Sequence, residues 1–150
     1  MKNMSEREIK MNNKVLFFTR TGNSRRIAEK LADELSCQII EVTDNMNWNG
    51  ICGFIKGGYY ASRDKVVAIK TSADVEDYDE LIVVSPLWAG KLAPDIKEFL
   101  KTAEKDKVHL VVVSSGSNIS DESEYKSVDL ITKSKKNEDE VINQLVKQLK

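Results

Sequence analysis

Apolar residues along the chain switch repeatedly between two spacings. "KVLFF" (14–18) is a continuous run that predicts a buried strand. After it, Ile27, Ala28, Leu31, Ala32 and Leu35 fall at helical spacing and mark one face of a helix. "QIIEV" (38–42) predicts a second strand, and "WNGICGFIKGGYYAS" (48–62) a helix weakened by its glycines. "ELIVVS" (80–85) predicts a third strand, apolar throughout as a strand covered on both faces should be. Pro94 suits a first helical position, with Ile96, Phe99, Leu100 and Ala103 as the inner stripe. "VHLVVVS" (108–114) and "VDLIT" (128–132) predict strands four and five. In the last helix Asn137 is placed to cap, Glu138, Asp139 and Glu140 complement the positive end, and Val141, Ile142, Leu145, Val146 and Leu149 face inward. Strands alternating with helices predict an α/β domain whose parallel sheet is covered on both faces. Residues 1–13 are expected to be a polar, flexible extension and 14–150 a single domain.

Composition changes this picture little. The 150 residues are 41% hydrophobic and 31% charged, an ordinary balance for one domain with a proper core. A net charge of −1 supplies no general field for nucleic acid or an anionic membrane, so neither is an expected partner. No apolar run is long enough to span a bilayer, and a cytoplasmic location is expected. Cys37 and Cys52 lack metal-like spacing and are expected to be reduced, mostly buried thiols. His109, the only histidine, leaves little scope for a histidine-based metal site or triad; opening the run "HLVVV", it reads as a strand-edge residue without chemistry.

In doubly wound sheets, ligands bind beyond the carboxyl ends of the strands, near the switch in strand order. That rule selects three loops. "TRTGNS" (19–24) runs from the first strand into a helix N-terminus, where unpaired N–H groups and the helix dipole favour an anion. Thr19, Thr21 and Ser24 add hydroxyl donors, and Gly22 permits a tight turn. Two readings stay open for this loop alone: a phosphate cradle, or a turn whose Asn23 or Ser24 simply caps the helix. The chain has no G-x-G-x-x-G for a dinucleotide and no G-x-x-x-x-G-K-[ST] for a nucleoside triphosphate. Strand one also ends without the carboxylates that a phospho-acceptor domain needs. Among phosphates, a monophosphate fits best. "SPLWAGKLAP" (85–94) sets Trp88 just past the third strand, as a stacking surface for a flat ring or as a loop anchor. "SSGSN" (114–118) offers small residues and backbone amides for the polar edge of a ring. Together the three loops describe a pocket for flavin mononucleotide (FMN).

From Lys14 onward the chain resembles the flavodoxin family. "FFTRTGNS" is similar to that family's phosphate fingerprint, "SPLWAGKLAPDIKEFL" to its second flavin-flanking loop, and "GFIKGGYYASRDK" to a segment of bacterial flavodoxin-like proteins. The resemblance implies a five-stranded parallel sheet in the order 2-1-3-4-5 and noncovalent FMN. It places Thr19, Arg20, Thr21, Gly22, Asn23 and Ser24 around the phosphate. Pro86, Leu87, Trp88, Ala89 and Gly90 would flank the isoalloxazine, with Ser115, Gly116 and Ser117 in the third loop. Two departures stand out. The connection between strands four and five, residues 115–127, is short for a parallel crossover, and the third loop lacks an aromatic, Tyr125 being the nearest ring.

The expected function is electron transfer between redox partner proteins, a donor reductase and an acceptor enzyme, by a monomer or weak homodimer with no metal and no catalytic residue of its own. The alternative is an NAD(P)H-dependent flavin, quinone or nitro-compound reductase on the same fold. The near-neutral charge favours this alternative, since carriers of the family are usually strongly acidic.

Overall fold

The computed structural model describes residues 12–63, 65–114, 124–133 and 136–150. The first apolar run becomes strand β1 (Asn13–Phe17), followed by helix α1 (Asn23–Leu35) and β2 (Gln38–Asp44). Helix α2 (Gly50–Ser62) leads to a short β3 (Ile69–Thr71), then to β4 (Glu80–Trp88) and the two-residue β5 (Lys91–Leu92). Helix α3 (Pro94–Leu100), a 3₁₀ turn (Lys105–Lys107), β6 (Val108–Ser114), β7 (Ser127–Thr132) and α4 (Glu138–Leu149) complete the chain.

The five long strands are parallel and run β2-β1-β4-β6-β7, the 2-1-3-4-5 order implied by the resemblance. Two short antiparallel strands extend this sheet and were not expected. β3 pairs with β2 at one edge, and β5 folds back on β4. Segments of three and two residues are too short to carry a readable period. β4 also runs three residues past its predicted end, because Ala89 (φ 52°) and Gly90 (φ 76°) close a tight two-residue hairpin. Two successive positive φ values are what such a hairpin demands.

Alternate residues of the strands feed two separate cores. Leu16, Ile40, Leu81, Val83, Leu110 and Val112 pack on one face with Ile96, Phe99 and Leu100 of α3. Val15, Phe17, Ile82, Val84 and Val111 pack on the other with Ile27 and Leu31 of α1 and Ile142 and Leu145 of α4. Buried strands sandwiched this way must be apolar at consecutive positions, hence the unbroken runs in the sequence.

Three local expectations need correcting. His109 lies in interior strand β6, fully buried, with Nδ1 2.7 Å from Ser127 Oγ and Nε2 3.1 Å from Glu80 Oε2. Glu80 also accepts a hydrogen bond from Lys126 Nζ, which satisfies a carboxylate that would be costly to bury alone. Cys52 is exposed, because its helix points that face outward, while Cys37 is half-buried. Asn137 sits at the N-cap of α4 but makes no side-chain cap. Its amide accepts from Thr132 N (2.9 Å) and donates to Leu130 O (2.9 Å), fastening the end of β7 instead. Residues 115–123 of the short connection, with Ser115, Gly116 and Ser117 among them, lie outside the described residues, as do residues 1–11 of the expected extension; β1 begins at Asn13 and Asn12 N donates to Asp79 (2.8 Å).

Candidate functional site

The loop from β1 into α1 is built around Gly22. At φ 97° it takes a backbone conformation that a side chain would strain, and it serves as the N-cap of α1. Its N–H donates to Thr19 Oγ1 (2.8 Å), folding the loop back on itself, and Asn23 Nδ2 donates to Thr21 Oγ1 (3.3 Å). No side chain caps α1, so neither Asn23 nor Ser24 acts as a cap. The first-turn N–H groups thus remain aimed out of the helix end, as an anion site requires. Ser24 is buried, and the Arg20 side chain reaches to the start of α2. Its Nε donates to Trp48 O (2.7 Å) and one terminal nitrogen to Gly50 O (2.9 Å), tying the loop to the start of α2.

The second wall is aromatic. Trp88, at the end of β4, meets Phe18 edge-on at 5.6 Å and Trp48 at 5.2 Å, tilted by 59°. The other side of Trp88 rests on Gly57, where a side chain would come within 2.9 Å of the indole. Gly53 is confined more tightly still, a side chain there coming within 2.0 Å of the Trp48 backbone. The glycines that weaken α2 as a helix therefore let it lie close against both tryptophans. Trp88 is half-buried and packed as an anchor, while still reaching the cleft described next.

A cleft of about 490 Å³ opens at the carboxyl edge of the sheet, where strand order reverses between β1 and β4. Thr19, Arg20, Thr21, Asn23, Ser24, Pro86 and Trp88 all line it. Gly22, Leu87, Ala89 and Gly90 do not; Gly22 shapes the loop, Leu87 packs on the core, and Ala89-Gly90 form the hairpin turn. Tyr125 packs against the core on the α3 side rather than lining the cleft. Apart from Ser114, the far end of the cleft was missed from sequence. It is made by Val113 and Ser114 of β6, by Ile131, Thr132 and Lys133 at the end of β7, and by Lys136 and Glu138 before and in α4. The rule that selected three loops applies equally to the loop after the fifth strand, and "KSKK" (133–136) was the signal available there.

Charge at that end is organised by Glu138. It pairs with Arg26 and with Lys30 (2.7 Å), joining α1 to α4, and the hydrogen bond from Arg26 chiefly holds its carboxyl down to about 2. Arg26 is thereby held at the lip of the cleft. On the opposite face of the sheet, Asp95 is fully buried and neither of its oxygens has a donor. Burial, then the neighbouring Asp44, push its carboxyl up to about 9. A protonated Asp95 can donate to Asp44, which satisfies one of the two orphaned oxygens. Asp44 itself accepts from Trp48 Nε1 (2.9 Å) and Met46 N (2.7 Å), so the acid pair supports the aromatic wall.

No family model matches the chain, and no curated protein does. Solved structures do. A flavoprotein from Lactobacillus acidophilus NCFM, determined in complex with FMN, superposes with a TM-score of 0.61 at 19% identity, over 81% of this chain and 91% of that one. A protein of Bacteroides eggerthii DSM 20697 assigned as a flavoprotein gives 0.66 at 17% identity, over 93% and 98%. One from Bacteroides uniformis ATCC 8492, likewise assigned, gives 0.63 at 18%, over 91% and 98%. The chain has a flavodoxin-like fold. Identities this low speak for the fold alone, and within it the cleft lies at the position that flavodoxin-like topology reserves for a ligand.

Proposed function

We propose that this cleft binds FMN noncovalently and that the protein carries electrons between redox partners. One observation carries the reading: the uncapped α1 N-terminus, with its hydroxyl-rich loop, opens into the same cleft as Trp88. Phosphate suits the first feature and a flat aromatic ring the second. FMN has both, and the fold is shared with a flavoprotein determined with FMN. In this reading Thr19 and Gly22 shape the loop, Thr21, Asn23 and Ser24 face the phosphate, and Trp88 walls the ring. The flavin, when bound, supplies the redox chemistry; the protein orients it and limits its contact with water.

The test is a fluorescence-quench titration with FMN and, separately, with riboflavin. FMN is expected to bind at least roughly tenfold more tightly, the value of one modest phosphate contact. Equal affinities would overturn the phosphate assignment, and no quenching by either would overturn the flavin reading.

One observation favours the reductase alternative. Lys133 and Lys136 lie exposed at the far end of the cleft and suit a second phosphate-bearing ligand such as a nicotinamide nucleotide. Oxidation of NADPH or NADH by the FMN-loaded protein with a quinone present decides between them. The carrier reading expects no turnover without a separate donor reductase.

A further inference from the structure

Helix α2 is amphipathic in the inverse sense. Its inner face is Gly53, Gly57 and Ala61, all buried. Its outer face carries Ile51 (79% exposed), Phe54 (67%), Ile55 (65%) and Tyr59 (51%), with Val66 (67%) just beyond the helix. The spacing i, i+3, i+4, i+8 puts the four helical residues on one stripe, and Gly58 beside them faces open space. Single exposed apolar residues need no explanation, but a contiguous group does. The rim of the stripe is basic. Arg20 lies over the Phe54 ring at 5.6 Å, and Arg63 and Lys65 over the Tyr59 ring at 5.9 and 5.8 Å. From Gly50 to Val66 the sequence has three basic residues against one acidic, in a chain whose net charge is −1.

We propose that this face docks on an anionic lipid surface, with Ile51, Phe54, Ile55 and Val66 in the acyl boundary and the basic rim among the headgroups. Charge chooses among the possible occupants. A second copy paired helix to helix would oppose cation to cation, antiparallel pairing setting Arg20 against Arg63 and Lys65. A specific protein groove is expected to exchange about one hydrogen bond per 100–200 Å². The stripe from Ile51 to Tyr59 offers hardly any polar side chain for that, whereas a bilayer asks only for apolar anchors and peripheral cations. The absence of a membrane partner, expected from whole-chain charge, averaged this local excess away. Because α2 underlies Trp88 through Gly57, docking brings the lipid surface to the ring end of the cleft. The proposal stands whatever ligand the cleft takes.

The test is co-sedimentation of the full chain with vesicles of phosphatidylcholine alone and of phosphatidylcholine with phosphatidylglycerol. Binding is expected to the anionic vesicles, weaker at high salt, and reduced roughly a hundredfold by Ile51→Asp with Ile55→Asp. Both side chains are exposed and outside the cleft, so circular dichroism and flavin titration of the variant should match the parent. No binding to either vesicle, or binding that the double variant retains, would overturn the proposal. So would a dimer in sedimentation velocity that the double variant dissociates, since a second copy would then cover the face.

Discussion

Gly57 and Trp88 touch as closely as a residue without a side chain allows: a methyl group on Gly57 would stand 2.9 Å from Cε3 of the indole. Gly57→Ala is therefore expected to push on Trp88. Helix propensity gains about 1 kcal/mol and overpacking costs about 1–3 kcal/mol, so stability should fall by no more than about 2 kcal/mol. FMN affinity should fall roughly tenfold, with a changed tryptophan emission. Unchanged affinity in the quench titration would mean that Trp88 does not position the ring.

Asp95 makes stability depend on pH in a direction unusual for a carboxyl group. Folding raises its pKa from the ordinary 3.8 to about 9, so the folded state holds a proton that the unfolded chain releases. This contribution is full below about pH 4 and drains away as pH rises towards 9. Urea denaturation at pH 5, 7 and 9 should show a declining midpoint. In Asp95→Asn the decline should be much smaller, and the variant should gain relative to the parent as pH rises. Parallel declines in both proteins would assign the effect elsewhere.

Glu138 runs the other way. Its carboxyl is held at about 2, so its contribution is present above about pH 4.5 and lost as pH falls towards 2. The group is partly exposed, and Glu138→Gln should cost only about 0.5–1 kcal/mol at neutral pH. The same change removes the charge partner of Arg26 at the lip of the cleft and leaves its hydrogen bond to Asn23 Oδ1 (2.8 Å). FMN should then bind more tightly, with a steeper salt dependence. A weaker FMN complex would show that Glu138 positions Arg26 rather than restraining it.

Thr19 holds the β1–α1 loop by accepting from Gly22 N. Thr19→Val keeps the shape and removes the acceptor, at about 1–3 kcal/mol for the amide left without it. FMN affinity should fall more than riboflavin affinity, and a matched fall in both would place Thr19 outside the phosphate site.

Most of the fold was legible because parallel strands buried on both faces leave unbroken apolar runs, as in "ELIVV" and "HLVVV". The β1–α1 loop was legible because hydroxyls and a glycine at a helix start are a local device. What escaped depends on partners distant in sequence. Nothing local in the sequence ties Arg20 to Trp48 O and Gly50 O, to which it donates while still lining the cleft. Asn137 reads as a cap until Leu130 and Thr132 take its amide. The acid pair of Asp44 and Asp95, and the inverted face of α2, arise only when elements far apart in the chain meet.

Arg20 spans more than its place in the loop suggests. Two nitrogens of one planar group grip the carbonyls of Trp48 and Gly50 at the entry to α2, while its own backbone belongs to the loop that leads into α1. The loop that lines one side of the cleft is thus braced against the entry of α2 by a single side chain. A lysine, with a single nitrogen at its tip, could hold one of those carbonyls but lacks the fork that fixes the angle between them.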